Sequence, residues 1–318
     1  MVESEVALTP CVDGLVPSKM SAGVTQLRGK TFRVLVASDG SVQARRATSV
    51  ATQFPWPEPT RVRVVVARRV ETEHQRSILL AALDQTTDVA ARAARRAVTR
   101  RWPDADVVIV DKPPAEGVLS EAKRFGADVV VVGWRGHGAA RRLLMGSVSR
   151  AVVRRAASPV LVVRRRPSEV SRFVIGLDAS ANARRAVAFV ASLPAPHDGE
   201  VTLVTAVERM GVPSQSLVPA RVRRSVAAEV ARVNDERTAS AKAAQEHASR
   251  DLRRQGWRVK LVVANGEPLR ELLATAARAR AHVVAIGARS SSGVRQLLLG
   301  SVAEGVLNRC PTTVLVVR

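Results

Sequence analysis

Residues 129–149 read VVVVGWRGHGAARRLLMGSVS, and residues 283–303 read VVAIGARSSSGVRQLLLGSVA. Each passage opens with a short apolar run and closes on Gly-Ser followed by helical spacing. An unbroken β-branched run is the pattern of a strand buried on both faces, as in a parallel sheet. A glycine-rich segment between such a strand and a helix has three readings: a flexible turn, a basic patch for nucleic acid, or a cradle for phosphate.

Upstream, from Phe32, the same texture recurs. FRVLVAS reads as a strand, SVQARRATSVATQF as a helix, VRVVVA as a strand, and a long Ala/Arg helix runs through about Arg101. VVIVDK, a helix over residues 115–125, VVVVG, the glycine-rich loop, a helix from Ser147 to Ala157 and PVLVVRR complete the set. Strands alternating with helices imply parallel pairing through right-handed crossovers. FVIGLD, VTLVTAV, KLVVAN, HVVAIG and TTVLVVR then repeat the order. Asp39 and Asp178 lie 139 positions apart, whereas Gly133 and Gly287, Gly146 and Gly300, and Leu161 and Leu315 lie 154 apart. The 15 added residues fall to the helical run from Val218 to Gln255. The chain of 318 residues is therefore read as a tandem duplication, with units at 31–166 and 171–318. The joint, RRRPSEVS, is short and contains Pro, so the units are expected to pack. Residues 1–30 are mixed and non-periodic, which reads as a disordered leader, with Met20 as an alternative start.

Hydrophobic residues make up 46% of the chain, enough for a core in each half, but aromatics only 3% with no Tyr, so recognition of single strands by base stacking is poorly supported. The net charge of +22 is carried mostly by Arg, strewn as RR pairs over both halves. Dispersed charge reads as solvated helix faces before it reads as a nucleic-acid footprint, which concentrates on one element. A basic, nucleic-acid-associated protein is kept as the rival. Cys11 and Cys310, at opposite ends, build neither a disulfide framework nor a metal cluster, and the default is a reducing cytoplasm. The N-terminus opens with acids and lacks a secretory pattern, and no apolar run reaches the ~18 residues of a membrane span.

In open α/β sheets ligands bind beyond the carboxyl ends of the strands. Glycines there let backbone N–H groups approach an anion, and a helix starting at Gly146-Ser147 offers free N–H groups and the positive end of its dipole. Ser147 and Ser149 add hydroxyl donors. Taken alone, the loop leaves a phosphate seat and a structural turn equally open.

Gly133, two residues, Gly136, nine residues, Gly146-Ser147 form a G-2x-G-9x-G-[S/T] signature. With VLVASDGS upstream and SPVLVV downstream, it resembles the universal stress protein family over both repeats. It is neither a Walker loop, lacking GK[ST], nor a dinucleotide fingerprint, which follows the first strand. The resemblance implies two tandem α/β domains of Rossmann-like, adenine nucleotide alpha hydrolase-like type, each a five-stranded parallel sheet of order 3-2-1-4-5, in the branch that binds ATP, with or without Mg2+. Carried over, Gly133, Gly136, Gly146, Ser147, Val148 and Ser149 would hold the phosphates and ribose, Asp39 would contact the adenosine, and the backbone at Ala67 would face adenine. Arg135 or Arg142 would neutralise phosphate. The weaker equivalents are Asp178, Gly287, Ser290, Gly300, Ser301 and Val302. Here the middle glycine is replaced by Ser290, Ser149 by Ala303 and Gly40 by Ala179. One ATP site in the first repeat and a degenerate one in the second are expected.

No HExxH, GxSxG or CxxC is present, and of five histidines only His137 lies in the loop. A nucleotide-dependent regulator of the stress response, read by a protein partner, is preferred to an enzyme; slow ATP hydrolysis is the alternative. The protein supplies no metal site of its own. The final strands, SPVLVVRRR and TTVLVVR, read as sheet edges. The family resemblance implies pairing through them, within the chain as a pseudo-dimer or between chains.

Overall fold

The computed structural model describes residues 30–68, 79–136, 145–211, 220–289 and 299–318. The leader expected over 1–30 lies outside the described residues save Lys30, as do His137, Arg142 and Ser290. The first half runs β1 (Phe32–Ala37), α1 (Val42–Gln53), β2 (Thr60–Arg68), α2 (Leu79–Thr99), β3 (Asp106–Asp111), α3 (Pro114–Phe125), β4 (Val129–Gly133), α4 (Ser147–Arg155) and β5 (Val160–Val163). The second half runs β6 (Arg172–Gly176), α5 (Ala181–Ala191), β7 (Glu200–Val207), α6 (Ala220–Arg254), β8 (Arg258–Asn265), α7 (Pro268–Arg278), β9 (Val283–Gly287), α8 (Ser301–Arg309) and β10 (Thr313–Val317).

All ten strands join one sheet of order β3-β2-β1-β4-β5-β10-β9-β6-β7-β8, so each half has the expected 3-2-1-4-5 order. Pairing within each half is parallel. The apolar runs are buried on both faces by alternation: Val34 and Val36 of β1 enter one core, with Leu35 in the other. In β4 Val129 and Val131 alternate in the same way with Val130 and Val132. Ser41 and Ser180 start α1 and α5 alike, each hydroxyl accepting the N–H three residues on at 3.1 Å. The length added to the second half is carried by α6, 35 residues against 21 in α2.

The final strands are not edges. β5 and β10 pair antiparallel, with Leu161 opposite Leu315, its own repeat partner. The halves are thus related by a two-fold at that pair, the pseudo-dimer is built within one chain, and neither final strand is left open to a second copy. Ladder groups that would otherwise be unpaired are satisfied by the other repeat. The outer strands are β3 and β8, which carry Asp106, Asp111, Arg258 and Lys260. Aromatic contacts close the seam: Phe54 meets Phe173 edge-on at 5.9 Å, and Phe32 meets Phe189 at 6.2 Å. Because β5 and β10 run in opposite directions, the carboxyl ends of the two sets of strands lie at opposite ends of the sheet.

Candidate functional site

Beyond β1, Asp39 turns its carboxylate onto the chain, Oδ1 accepting the Ser41 N–H at 3.0 Å. Asp178 repeats this with Ser180 at 2.9 Å. Arg45 and Arg184 donate to the carbonyls of Gly40 and Ala179 at 2.5 and 2.7 Å, so the two turns share these hydrogen bonds. They differ in backbone: Gly40 has φ +75°, whereas Ala179 at the same place lies outside the left-handed region.

The signature glycines divide into different roles. A Cβ on Gly133 would lie 3.0 Å from the carbonyl carbon and oxygen of Gln43, and one on Gly287 would lie 2.7 Å from the Ala183 nitrogen and the Asn182 carbonyl carbon. These two glycines let the first turn of α1 or α5 press against the end of β4 or β9, a packing role that a ligand-centred reading does not anticipate. Gly136 is different: a Cβ there would collide with Oδ2 of Asp39, so this glycine brings the loop backbone up to the carboxylate. Gly146 sits over Arg135, whose Cα a Cβ would meet at 3.2 Å, and its N–H donates to the Trp134 carbonyl at 3.0 Å. Gly300 donates to the Ala288 carbonyl at 2.9 Å in the same manner.

Gly146 and Gly300 are the N-caps of α4 and α8, and neither supplies a side-chain acceptor. Helices α1, α5 and α7 have such an acceptor, from Ser41, Ser180 and Glu267. The first amides of α4 and α8, at Ser147 and Val148 and at Ser301 and Val302, are thereby left for another acceptor. Ser149 departs from expectation. It is 5% exposed, and its hydroxyl donates to the Gly133 carbonyl at 2.6 Å, fastening α4 to β4 instead of offering a donor to a ligand. Ala303 in its place removes this packing bond.

In the second repeat these elements enclose a cavity of about 240 Å³. Asp178, Gly287, Arg289, Gly300, Ser301 and Val302 line it, together with the apolar Val204, Ala206, Leu272 and Ile286. Ala206 is the counterpart of Ala67, which lies next to the last residue of β2, beside Gly117 of α3. The lining is mainly apolar, with Asp178, Arg289 and Ser301 among its polar side chains. Arg289 escaped the residue reading, although its spacing from Arg135 is the 154 of the repeat. In the first repeat Arg135 stacks over Trp134 at 4.2 Å, and Arg164, just past β5, stands over the same ring at 3.8 Å. Burial and the neighbouring Arg135 charge hold the Arg164 pKa below the usual guanidinium value. Among the described residues no group of three or more His, Cys, Asp or Glu is placed to hold a metal ion, and no helix is long and apolar enough to cross a membrane.

The fold defines a tandem α/β protein, with a glycine-rich loop and an uncapped helix start at the carboxyl ends of both parallel strand sets. The chain belongs to the Universal stress protein family, whose model matches residues 31–164 and 169–318. It is 34% identical over 133 residues to a universal stress protein of Thermus aquaticus, covering 41% of this chain and 97% of that one. A universal stress protein of Mycobacterium tuberculosis is 32% identical over 209 residues, 60% of this chain and 62% of its own length. The fold matches the crystal structure of a universal stress protein from Archaeoglobus fulgidus with a TM-score of 0.65 at 16% identity, over 90% of this chain and 98% of that one.

Proposed function

We propose that this chain binds an adenine nucleotide, ATP, and that its occupancy sets the state of a cytoplasmic stress-response regulator read by a protein partner. The observation that carries the reading is the start of α4, which has no side-chain cap, next to the junction where Gly136 meets Asp39. The phosphates take the amides of Ser147 and Val148 with Arg135 beside them, the ribose hydroxyls donate to Asp39, and adenine lies at the end of β2 near Ala67. Mg2+, where present, comes with the triphosphate oxygens.

The first repeat is the stronger site in this reading. It has the complete signature, and its loop needs glycine where it meets Asp39. The second repeat has Ser290 at that place in the sequence and binds the same ligand more weakly, its cavity taking the nucleoside. Calorimetric titration of the full chain with ATP, alongside mass spectrometry of the nucleotide carried through purification, tests both claims. One strong and one weak site are expected, with the strong one lost in Gly136→Val while circular dichroism stays unchanged. Undiminished affinity in Gly136→Val refutes the assignment, and two equal sites refute the asymmetry.

A further inference from the structure

The two seats are joined by helices that lie antiparallel across the seam. Helix α4 starts at the first seat and α8 at the second, and near the end of α4 Arg154 pairs at 2.9 Å with Glu304 near the start of α8. Each helix has nine residues, about 13 Å of axis, and so spans from one seat toward the opposite end of the sheet.

What holds the far end of each helix belongs to the other repeat. Arg164 follows β5 and donates to the carbonyls of Asn308 and Cys310, at the end of α8, at 3.2 and 2.9 Å. Arg318 follows β10 and donates to the carbonyls of Val153 and Arg154, at the end of α4, at 2.8 and 2.6 Å. Both arginines occupy one repeat position, 154 apart. Trp134, in the first loop, also donates its indole N–H to the Leu307 carbonyl of α8 at 3.2 Å. Each arginine adjoins the loop arginine of its own repeat: Arg164 shares the Trp134 ring with Arg135, and Arg318 feels the charge of Arg289.

We propose that Arg318 and Arg164 are positioning residues acting crosswise: each holds the helix whose other end forms the seat of the opposite repeat, and thereby couples the two seats. A guanidinium on the last carbonyls of a helix satisfies groups that are otherwise orphaned and complements the negative end of the dipole. It fixes where the first amides stand, and an anion seat is sensitive to their placement. The sign of the coupling follows from charge. An anion beside Arg135 relieves its repulsion of Arg164, which settles on the end of α8 and firms the second seat; Arg289 and Arg318 do the same for α4. Binding is positively cooperative between repeats. The inference rests on the nucleotide reading above.

The test is ATP titration of the full chain carrying Arg318→Met or Arg164→Met. Arg318→Met is expected to weaken the first-repeat site about fivefold, the low end of measured couplings, and to leave the second within twofold; Arg164→Met does the reverse, and Arg318→Lys partly restores the first site. General destabilisation does not reproduce this crossed pattern. First-repeat affinity unchanged in Arg318→Met, or both sites weakened equally by either substitution, overturns the proposal. A native chain that binds no ATP overturns the nucleotide reading and this proposal with it, whereas native binding with uncrossed variants overturns this one alone.

Discussion

Replacing Gly287 by Ala separates the packing role of the signature glycines from any ligand role. The added methyl would stand 2.7 Å from the Ala183 nitrogen, 2.7 Å from the Asn182 carbonyl carbon and 2.8 Å from the Asn182 Cβ. Carbon in ordinary contact needs about 3.5 to 4.0 Å, so the first turn of α5 must retreat from β9 by most of an ångström. Two of the three obstructing atoms are backbone and cannot rotate away. Overpacking of this kind costs about 1–3 kcal/mol, and the upper half of that range is expected here. At Gly133 the facing Gln43 atoms stand 3.0 Å away, so Gly133→Ala should cost about 1 kcal/mol. Gly211→Ala, with nothing within 4 Å, should be neutral. Urea unfolding of the three variants against the parent chain reads the series through the denaturation midpoint. Ser180 and Ala183, which line the cavity, move with the displaced turn, so Gly287→Ala should also weaken the second-repeat site. If Gly287→Ala unfolds within 0.5 kcal/mol of the parent, or if Gly211→Ala costs as much, the packing account is wrong.

Glu121, 2% exposed, accepts from Arg63 at 2.9 Å and from Arg124 at 2.7 Å. Glu121→Ala leaves the half-buried Arg63 with one carboxylate, Asp106 at 2.8 Å, beside its contact with the Phe125 ring, and should cost about 3 kcal/mol by urea unfolding; a cost below 1 shows that these partners suffice. His282 faces the N–H groups of Ser171 and Arg172 through Nδ1 at 3.1 and 3.3 Å, and burial followed by the Arg172 charge holds its pKa below the ordinary value. The unfolded chain then takes up this proton first, so the contribution of His282 is complete above about pH 6.5 and is lost as pH falls through the lower folded value. A His282→Gln chain should show a flatter fall in urea midpoint between about pH 6.5 and 5 than the parent, and an equal slope removes His282 from the acid response.

Much of the fold was legible because its signals are local. Apolar runs as short and β-branched as VVVVG have the pattern of strands covered on both faces, and the longer Ala-rich stretches between them have the length and composition of helices. The repeat offset placed the added residues in one helix, where α6 has them. The site was legible in position but less so in role. Spacing pointed to Gly133 and Gly136 alike, yet one makes room for a helix and the other for a carboxylate. Ser149 looked like a donor to a ligand and is spent on a carbonyl of β4, because hydroxyl direction depends on rotamer and neighbours, which spacing does not contain.

By itself, then, the sequence determined the duplication, the α/β alternation and the glycine signature, all of them patterns within a few tens of residues. Only the tertiary structure decided that β5 and β10 close on each other, that a cavity forms around Asp178 and Arg289, and that Arg164 and Arg318 hold the helices of the opposite repeat. The strand pairing and the arginine contacts join residues about 150 positions apart. They depend on the direction in which one half meets the other, and no local propensity encodes that direction: it follows from pairing two otherwise open strand edges across a shared core.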